Sequence, residues 1–186
     1  MLKFTYGVMG CSKSAQALIT RYNYAQNGFV VMLLKPSIDT RFDDETRMIR
    51  SRIGLSSECI TFTMESDLTH LLSHVINLKA IVIVDEVQFC TKQQIEQLKE
   101  ISSKIDVFCY GLSTNFKTEL FEGSKRLFEL ADKLEKLPHI CNCGNQALLN
   151  IRFKNDMICI DGEEIQIGDE EYKPMCYECY LRQLKH

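Results

Sequence analysis

Tyr6-Gly7-Val8-Met9-Gly10-Cys11-Ser12-Lys13-Ser14 joins a short apolar run, Lys3–Tyr6, to a helix-like stretch, Lys13–Gln26. A glycine-opened turn between a strand and a helix is the setting of a phosphate-binding loop. Its backbone N–H groups line a concavity for anionic oxygens, and the positive end of the helix dipole faces the same point. Gly7, Val8, Met9, Gly10, Cys11, Ser12, Lys13 and Ser14 are therefore the candidate phosphate-binding residues. Lys13 has the reach for β- and γ-phosphates, and Ser14 offers a hydroxyl to Mg²⁺. One position departs from the G-x-x-x-x-G-K-[ST] pattern. Ser12 stands where glycine precedes the lysine, and glycine there permits close backbone approach to phosphate. The competing reading is an ordinary strand–turn–helix connection carrying a single lysine.

A second stretch, Ile81-Val82-Ile83-Val84-Asp85-Glu86, favours the phosphate loop. A run that is apolar at every position reads as a strand covered on both faces. It delivers two acids to the carboxyl edge of a sheet, where open α/β sheets bind ligands. Asp85 suits the orientation of hydrated Mg²⁺, and Glu86 suits acceptance of a proton from an attacking hydroxyl. An acidic pair opening a solvated helix is the plainer alternative.

Outward from these two stretches, apolar runs alternate with helix-like segments as far as residue 136. The strands expected are Lys3–Tyr6, Phe29–Leu34, Cys59–Thr63, Ala80–Val84 and Val107–Tyr110. The helices expected are Lys13–Gln26, Ser66–Ile76, Thr91–Ser103 and Ser124–Ala131. That alternation predicts an α/β domain over residues 1–136, a phosphate-loop-type parallel sheet flanked by helices. After Pro138 the texture changes to short β-like runs bounded by Cys141-Asn142-Cys143 and Cys176-Tyr177-Glu178-Cys179. Residues 137–186 make a small module whose core would be marginal without a metal clip.

The two cysteine pairs match the hairpins that close a tetrahedral Cys₄ site, so Cys141, Cys143, Cys176 and Cys179 are candidate ligands of structural Zn²⁺. A dithiol redox pair is the rival reading. Cys59, Cys90, Cys109 and Cys159 lie in apolar runs and read as buried small hydrophobes. Cys11 reads as a space-filling residue of the loop, and His70 and His74 lack a third ligand.

The whole chain of 186 residues carries a net charge of −3, which gives no broad basic surface for a nucleic-acid polymer. Its sequence has no continuous apolar run of about 18 residues that would predict a membrane span. Met1–Gly7 does not follow the secretory-signal pattern, and nine cysteines in such a chain point to metal or buried thiols; a cytoplasmic protein is expected.

Five stretches, in register along nearly the entire chain, resemble the type II thymidine kinases, the cellular and bacterial family distinct from the herpesvirus-like kinases. They are Tyr6-Gly7-x-Met9 with Lys13-Ser14; Lys35–Arg41 with Ser51–Leu55; Asp85-Glu86-Val87-Gln88-Phe89; Tyr110–Phe116 with Glu119–Ser124; and Tyr172 ahead of Cys176. The resemblance implies transfer of the γ-phosphate of ATP to the 5′-hydroxyl of thymidine, and of deoxyuridine, giving dTMP. It implies Glu86 as general base and Arg41 as the cation supporting charge on the transferred group. Lys13 and Ser14 would hold ATP phosphates and Mg²⁺, with Asp85 orienting the ion's water. Met9, Phe89, Leu112, Phe116 and Tyr172 would enclose the base, with a lasso-like loop in the zinc module covering the nucleoside. Family properties also imply a homotetramer and feedback inhibition by dTTP. Departures from the pattern are Ser12, Ser113 and Asn115, and a shortened loop at Ile167-Gly168-Asp169. They leave open a divergent member that binds nucleotide with weak or no kinase activity, or that phosphorylates another nucleoside.

Overall fold

Three consecutive parallel pairings, Val30–Pro36 with Ala80–Val84, Ala80–Val84 with Asp106–Gly111 and Asp106–Gly111 with Leu2–Tyr6, form the middle of the structure. The computed structural model describes residues 1–37, 47–155, 157–162 and 171–184. In chain order the first elements are β1 (Leu2–Tyr6), α1 (Lys13–Gln26), β2 (Val30–Pro36), β3 (Met48–Arg50), β4 (Ser56–Glu58), β5 (Ile60–Phe62) and α2 (Leu68–Leu72). Then follow β6 (Ala80–Val84), a 3₁₀ turn at Val87–Phe89, α3 (Lys92–Ile101), β7 (Asp106–Gly111), α4 (Glu122–Leu130) and β8 (Lys133–Lys136). The chain continues with β9 (Leu149–Lys154), β10 (Met157–Ile158), β11 (Glu171–Met175) and α5 (Tyr177–Gln183).

The main sheet has six strands in the order β5-β2-β6-β7-β1-β8, every pairing parallel. Its central strand β6 is buried at all five positions, because successive side chains enter opposite cores. Val82 and Val84 join Leu2, Phe4, Ile95, Leu98 and Leu127 beneath α3 and α4. Ile81 and Ile83 join Ala17, Leu18, Leu33 and Phe108 beneath α1. Helix α3 shows why the sequence folds as it does locally. Thr91 and Gln94 form a reciprocal capping box, and Ile95, Leu98 and Ile101 then recur at helical spacing on the buried side.

Helices on both sides of a parallel sheet are what the alternating texture predicts. The differences have local causes. The expected helix Ser66–Ile76 is reduced to Leu68–Leu72: Asp67 caps its start, and the Ser73 hydroxyl donates to the His70 carbonyl at its end. Strand β8 has no sequence signal, since Lys133–Lys136 is exposed at every position. Backbone pairing to β1 alone makes it a strand. Cys90 and Cys109 are buried as expected, whereas Cys59 and Cys159 are only half-buried.

A smaller antiparallel sheet, β10-β9-β11, carries the second half of the cysteine pattern. Its middle strand is buried on both faces, with Ile151 and Phe153 on one and Asn150 and Arg152 on the other. Helix α5 begins at Cys176, whose sulfur accepts the Cys179 N–H. No described helix is long and apolar enough to cross a membrane.

Candidate functional site

The carboxyl ends of β1, β7 and β6 lie side by side and deliver Gly7, Leu112 and the Asp85-Glu86 pair to one edge. A cleft of about 210 Å³ opens there, lined by Met9, Lys13, Ser14, Arg52, Glu86 and Leu112 among others. Four residue groups separated by up to a hundred positions thus share one concavity.

The phosphate loop turns through two left-handed residues, Gly10 at φ 80° and Ser12 at φ 66°. Ser12 is also the N-cap of α1, yet its side chain makes no capping hydrogen bond. The position before Lys13 therefore requires left-handed backbone, the conformation glycine adopts freely and serine adopts at a cost. This is a different reason for glycine from the close approach to phosphate expected on sequence grounds. Lys13 is buried, and its ammonium donates to the carbonyls of Gly7 at 3.2 Å and Val8 at 2.7 Å. Close packing explains the opening glycine: a methyl group on Gly7 would lie 2.6 Å from the Cys11 sulfur.

At the end of β6, Asp85 is almost fully buried, and its carboxyl is pushed up to about 6. Burial is the chief cause, and the neighbouring Glu86 adds to it. The Ser14 hydroxyl, the Glu86 N–H and the Lys13 ammonium pull the other way. A carboxylate that is costly to ionise alone, touching a hydroxyl and near the phosphate loop, gains most from a divalent cation. Ser14 and Asp85 are the described residues that would associate with Mg²⁺, and the donor set of oxygens fits a hard cation.

Glu86 itself has left-handed backbone, φ 54° and ψ 35°, which turns its side chain out of the strand direction into the cleft. Its carboxylate accepts a 2.6 Å hydrogen bond from Nε2 of Gln88, and Oε1 of that same buried carboxamide accepts the Leu112 N–H at 3.0 Å. Gln88 thus fixes the acid and the end of β7 together. Gly111 makes room for it, since a methyl group there would lie 2.6 Å from the Gln88 carbonyl oxygen. Sequence reasoning placed Gln88 only inside a resembling motif and gave it no role. Reading a buried glutamine two residues after an acid as its orienter was the available signal.

The base-enclosing candidates are divided by the structure. Met9 and Leu112 line the cleft with Glu86. Phe89 packs edge-on against Phe121, with ring centroids 5.7 Å apart. Phe116 is buried beneath the Arg152 guanidinium. Tyr172 is in β11 opposite Arg152, within a strand at the edge of the module that the resemblance gives a lasso-like loop. Phe89, Phe116 and Tyr172 are not among the described lining residues of this cleft. Arg41 lies outside the described residues, as do Ile167-Gly168-Asp169. Arg50 and Arg52, on the β3–β4 hairpin, are cleft cations to which sequence reasoning assigned no charge role.

Asn115 shows how one departure is accommodated. Its Oδ1 accepts the N–H groups of Lys117 and Glu119, at 3.0 and 3.1 Å, and so shapes the loop after Leu112. The loop needs an acceptor at this position, which a carboxamide supplies as well as a carboxylate.

The sulfurs of Cys141, Cys143, Cys176 and Cys179 all lie within 4.8 Å of one another. Four thiolates around zinc at about 2.3 Å stand roughly 3.8 Å apart, so this cluster fits a tetrahedral ion. Cys141 is brought down to about 6, chiefly by the Cys143 backbone N–H, whereas Cys179 is pushed up to about 12, chiefly by hydrogen bonding with Cys143. A cation among the sulfurs would favour the thiolate of Cys179 that its neighbours oppose. The cluster also touches the phosphate loop: Val8 and Cys11 pack with Cys141, Ala147 and Cys176 in one buried group.

These features define a phosphate-loop-type α/β protein with an acid pair at the sheet edge and a four-cysteine cluster that could hold a metal ion. The sequence model of the family described as "Thymidine kinase" matches residues 1–180. A thymidine kinase of Photorhabdus laumondii is 39% identical, covering 97% of this chain and 92% of the relative. That of Enterobacteria phage T4 is 41% identical over 94% of this chain and 92% of its own length. One from Legionella pneumophila is 41% identical, with 97% and 89% covered. The chain belongs to the thymidine kinase family.

Two substitutions probe the strained and buried groups. Replacing Ser12 by Gly removes the left-handed penalty of a side-chain-bearing residue, and urea unfolding should show a gain of about 1 kcal/mol. Asp85 protonates near 6 in the folded chain and near 4 when unfolded. Its contribution is therefore favourable in acid and is lost as pH rises through that window, by roughly 3 kcal/mol. Without Mg²⁺, Asp85→Asn should stabilise the protein at pH 8 by up to that amount and make little difference at pH 4.

Proposed function

We propose that this chain transfers the γ-phosphate of ATP to the 5′-hydroxyl of thymidine, and to that of deoxyuridine, giving dTMP. The observation that carries the reading is the meeting of Lys13, Ser14 and Glu86 in one cleft of a thymidine kinase family member, with Asp85 buried against the Ser14 hydroxyl. The relatives that match nearly full length are themselves named thymidine kinases.

In this reading the N–H groups at the start of α1 and the Lys13 ammonium hold the β- and γ-phosphates. Lys13 exchanges its loop carbonyls for phosphate oxygens, a small movement for a flexible side chain. Ser14 and Asp85 would associate with Mg²⁺, which when bound would neutralise charge on the phosphate oxygens. Glu86, aimed by Gln88, takes the proton of the 5′-hydroxyl as that oxygen forms its bond to the γ-phosphorus. The bond from γ-phosphorus to the bridging oxygen breaks, and ADP leaves. Arg41 is the cation assigned to the transferred group. Met9 and Leu112 bound the nucleoside side of the cleft, with Phe89, Phe116 and Tyr172 completing the enclosure of the base.

Residues 1–136 are read as the kinase domain and residues 137–186 as a zinc module carrying the nucleoside-covering lasso. The protein is read as cytoplasmic and homotetrameric, with dTTP as feedback inhibitor. The left-handed backbone at Ser12, a conformation that glycine adopts freely, supports an active kinase over a weakly binding relative.

Purified protein with ATP, Mg²⁺ and radiolabelled thymidine should form labelled dTMP, and Glu86→Gln should reduce kcat by about 10²–10⁴-fold, the range of a lost general base. Equal turnover in the two proteins would overturn the assignment of Glu86, and no labelled dTMP from either would overturn the enzymatic reading. Metal analysis should find about one zinc per chain. Chelation should lower both the melting temperature and the affinity for ATP, because Val8 and Cys11 pack against Cys141 and Cys176. A metal-free protein with unchanged melting would refute the clip.

A further inference from the structure

The inner face of β9 carries two polar side chains that the phosphotransfer chemistry does not use. Asn150 is 3% exposed and Arg152 is 2% exposed. Oδ1 of Asn150 accepts the Met9 N–H at 2.6 Å, and its Nδ2 donates to the Thr114 carbonyl at 3.4 Å. Met9 belongs to the phosphate loop, whereas Thr114 lies between Leu112 and Phe116 on the nucleoside side. One carboxamide from the cysteine module therefore bridges two loops that are more than a hundred residues apart in the chain. Two positions along the same face, the Arg152 guanidinium stacks 3.7 Å from the centroid of Phe116 and donates to the Asp161 carbonyl at 3.1 Å.

The chemistry at position 150 is demanding. It needs an acceptor and a donor on one short side chain, which asparagine supplies and aspartate or leucine does not. Met9 is half-buried at the cleft, and pairing its N–H to Asn150 turns that donor away from the phosphate concavity. The loop N–H groups that remain for phosphate are then those nearer the start of α1. The weaker, longer bond to Thr114 sets where the segment bearing Leu112 and Phe116 lies relative to that loop.

We propose that Asn150 is a positioning residue that latches the phosphate loop to the nucleoside-side segment, so that one strand of the cysteine module sets the geometry of both substrate sites. The identity of the two ligands rests on the kinase reading; the latch itself does not. Calorimetry with a non-hydrolysable ATP analogue and with thymidine separates the two arms without turnover. Asn150→Asp keeps the acceptor for Met9 and loses the donor for Thr114, so thymidine affinity should fall several-fold while analogue affinity holds within about twofold. Asn150→Leu loses both partners and should weaken both ligands, each by about tenfold, the scale of one buried hydrogen bond. Arg152→Met, acting through Phe116, should weaken thymidine alone.

Equal losses of both ligands in Asn150→Asp, or none of either, would overturn the latch. Amide exchange over residues 7–11 gives a readout that needs no ligand at all. It should quicken in Asn150→Leu and stay at the wild-type rate in Asn150→Asp. Wild-type rates in both variants would overturn the proposal whatever the kinase assay gives. Should Asn150→Leu fail to fold, the aspartate variant decides on its own through the split between the two affinities. A wild-type chain that binds both ligands without turnover would remove the kinase reading and leave the latch standing.

Discussion

The parallel register of β6, β7 and β1 is the constraint on which everything else rests. Backbone pairing brings the ends of three strands to one edge, with Tyr6 beside Gly111 and Val84 beside Cys109. The chain must leave each strand there by a sharp turn, and the turns supply the loop before Lys13, the Asp85-Glu86 pair and Leu112. Because β6 is buried on both faces, a slip of one residue would exchange the two cores and is strongly disfavoured. The site therefore inherits its precision from strand pairing in the buried middle of the sheet.

At that edge the chain accepts several costs together. Ser12 and Glu86 are held in left-handed backbone, Asp85 is a buried carboxyl and Lys13 a buried ammonium. Each is unfavourable alone, and each is held by surrounding structure that has little freedom to relax. Gln88 and Gly111 show the mechanism at close range: a missing side chain admits a carboxamide, which then orients the acid. The aim of these side chains and the local strain are two descriptions of the same packing.

The cysteine module reaches further into this arrangement than a lid would need to. Its sulfurs pack against Val8 and Cys11, and its strand β9 touches the phosphate loop through Asn150 and Phe116 through Arg152. Small modules of this kind have little core of their own, so a metal that orders the module also orders what leans on it. A clip of structural character can thus influence phosphate binding without offering the ion an open coordination position.

Much of the fold was legible in the residues themselves. Unbroken apolar runs mark β6 and β7, helical spacing and a capping box mark α3, and Gly7 to Ser14 marks the first turn, because these signals are local. The cysteine pairs announced their cluster for the same reason, since thiols at metal-ligand spacing have few other uses in such a chain. Strand β8 was not legible, for Lys133–Lys136 buries nothing and is a strand only because β1 offers its edge. Nor were the Gln88 contact with Leu112 and the roles of Asn150 and Arg152, whose partners lie 24, 141 and 36 residues away in sequence. Sequence by itself determined which chemistry this chain carries: a phosphate loop, an acid pair and four thiols. The tertiary structure alone decided how those groups are aimed, because hydrogen-bond partners across a sheet edge are chosen by register and packing rather than by neighbours in the chain.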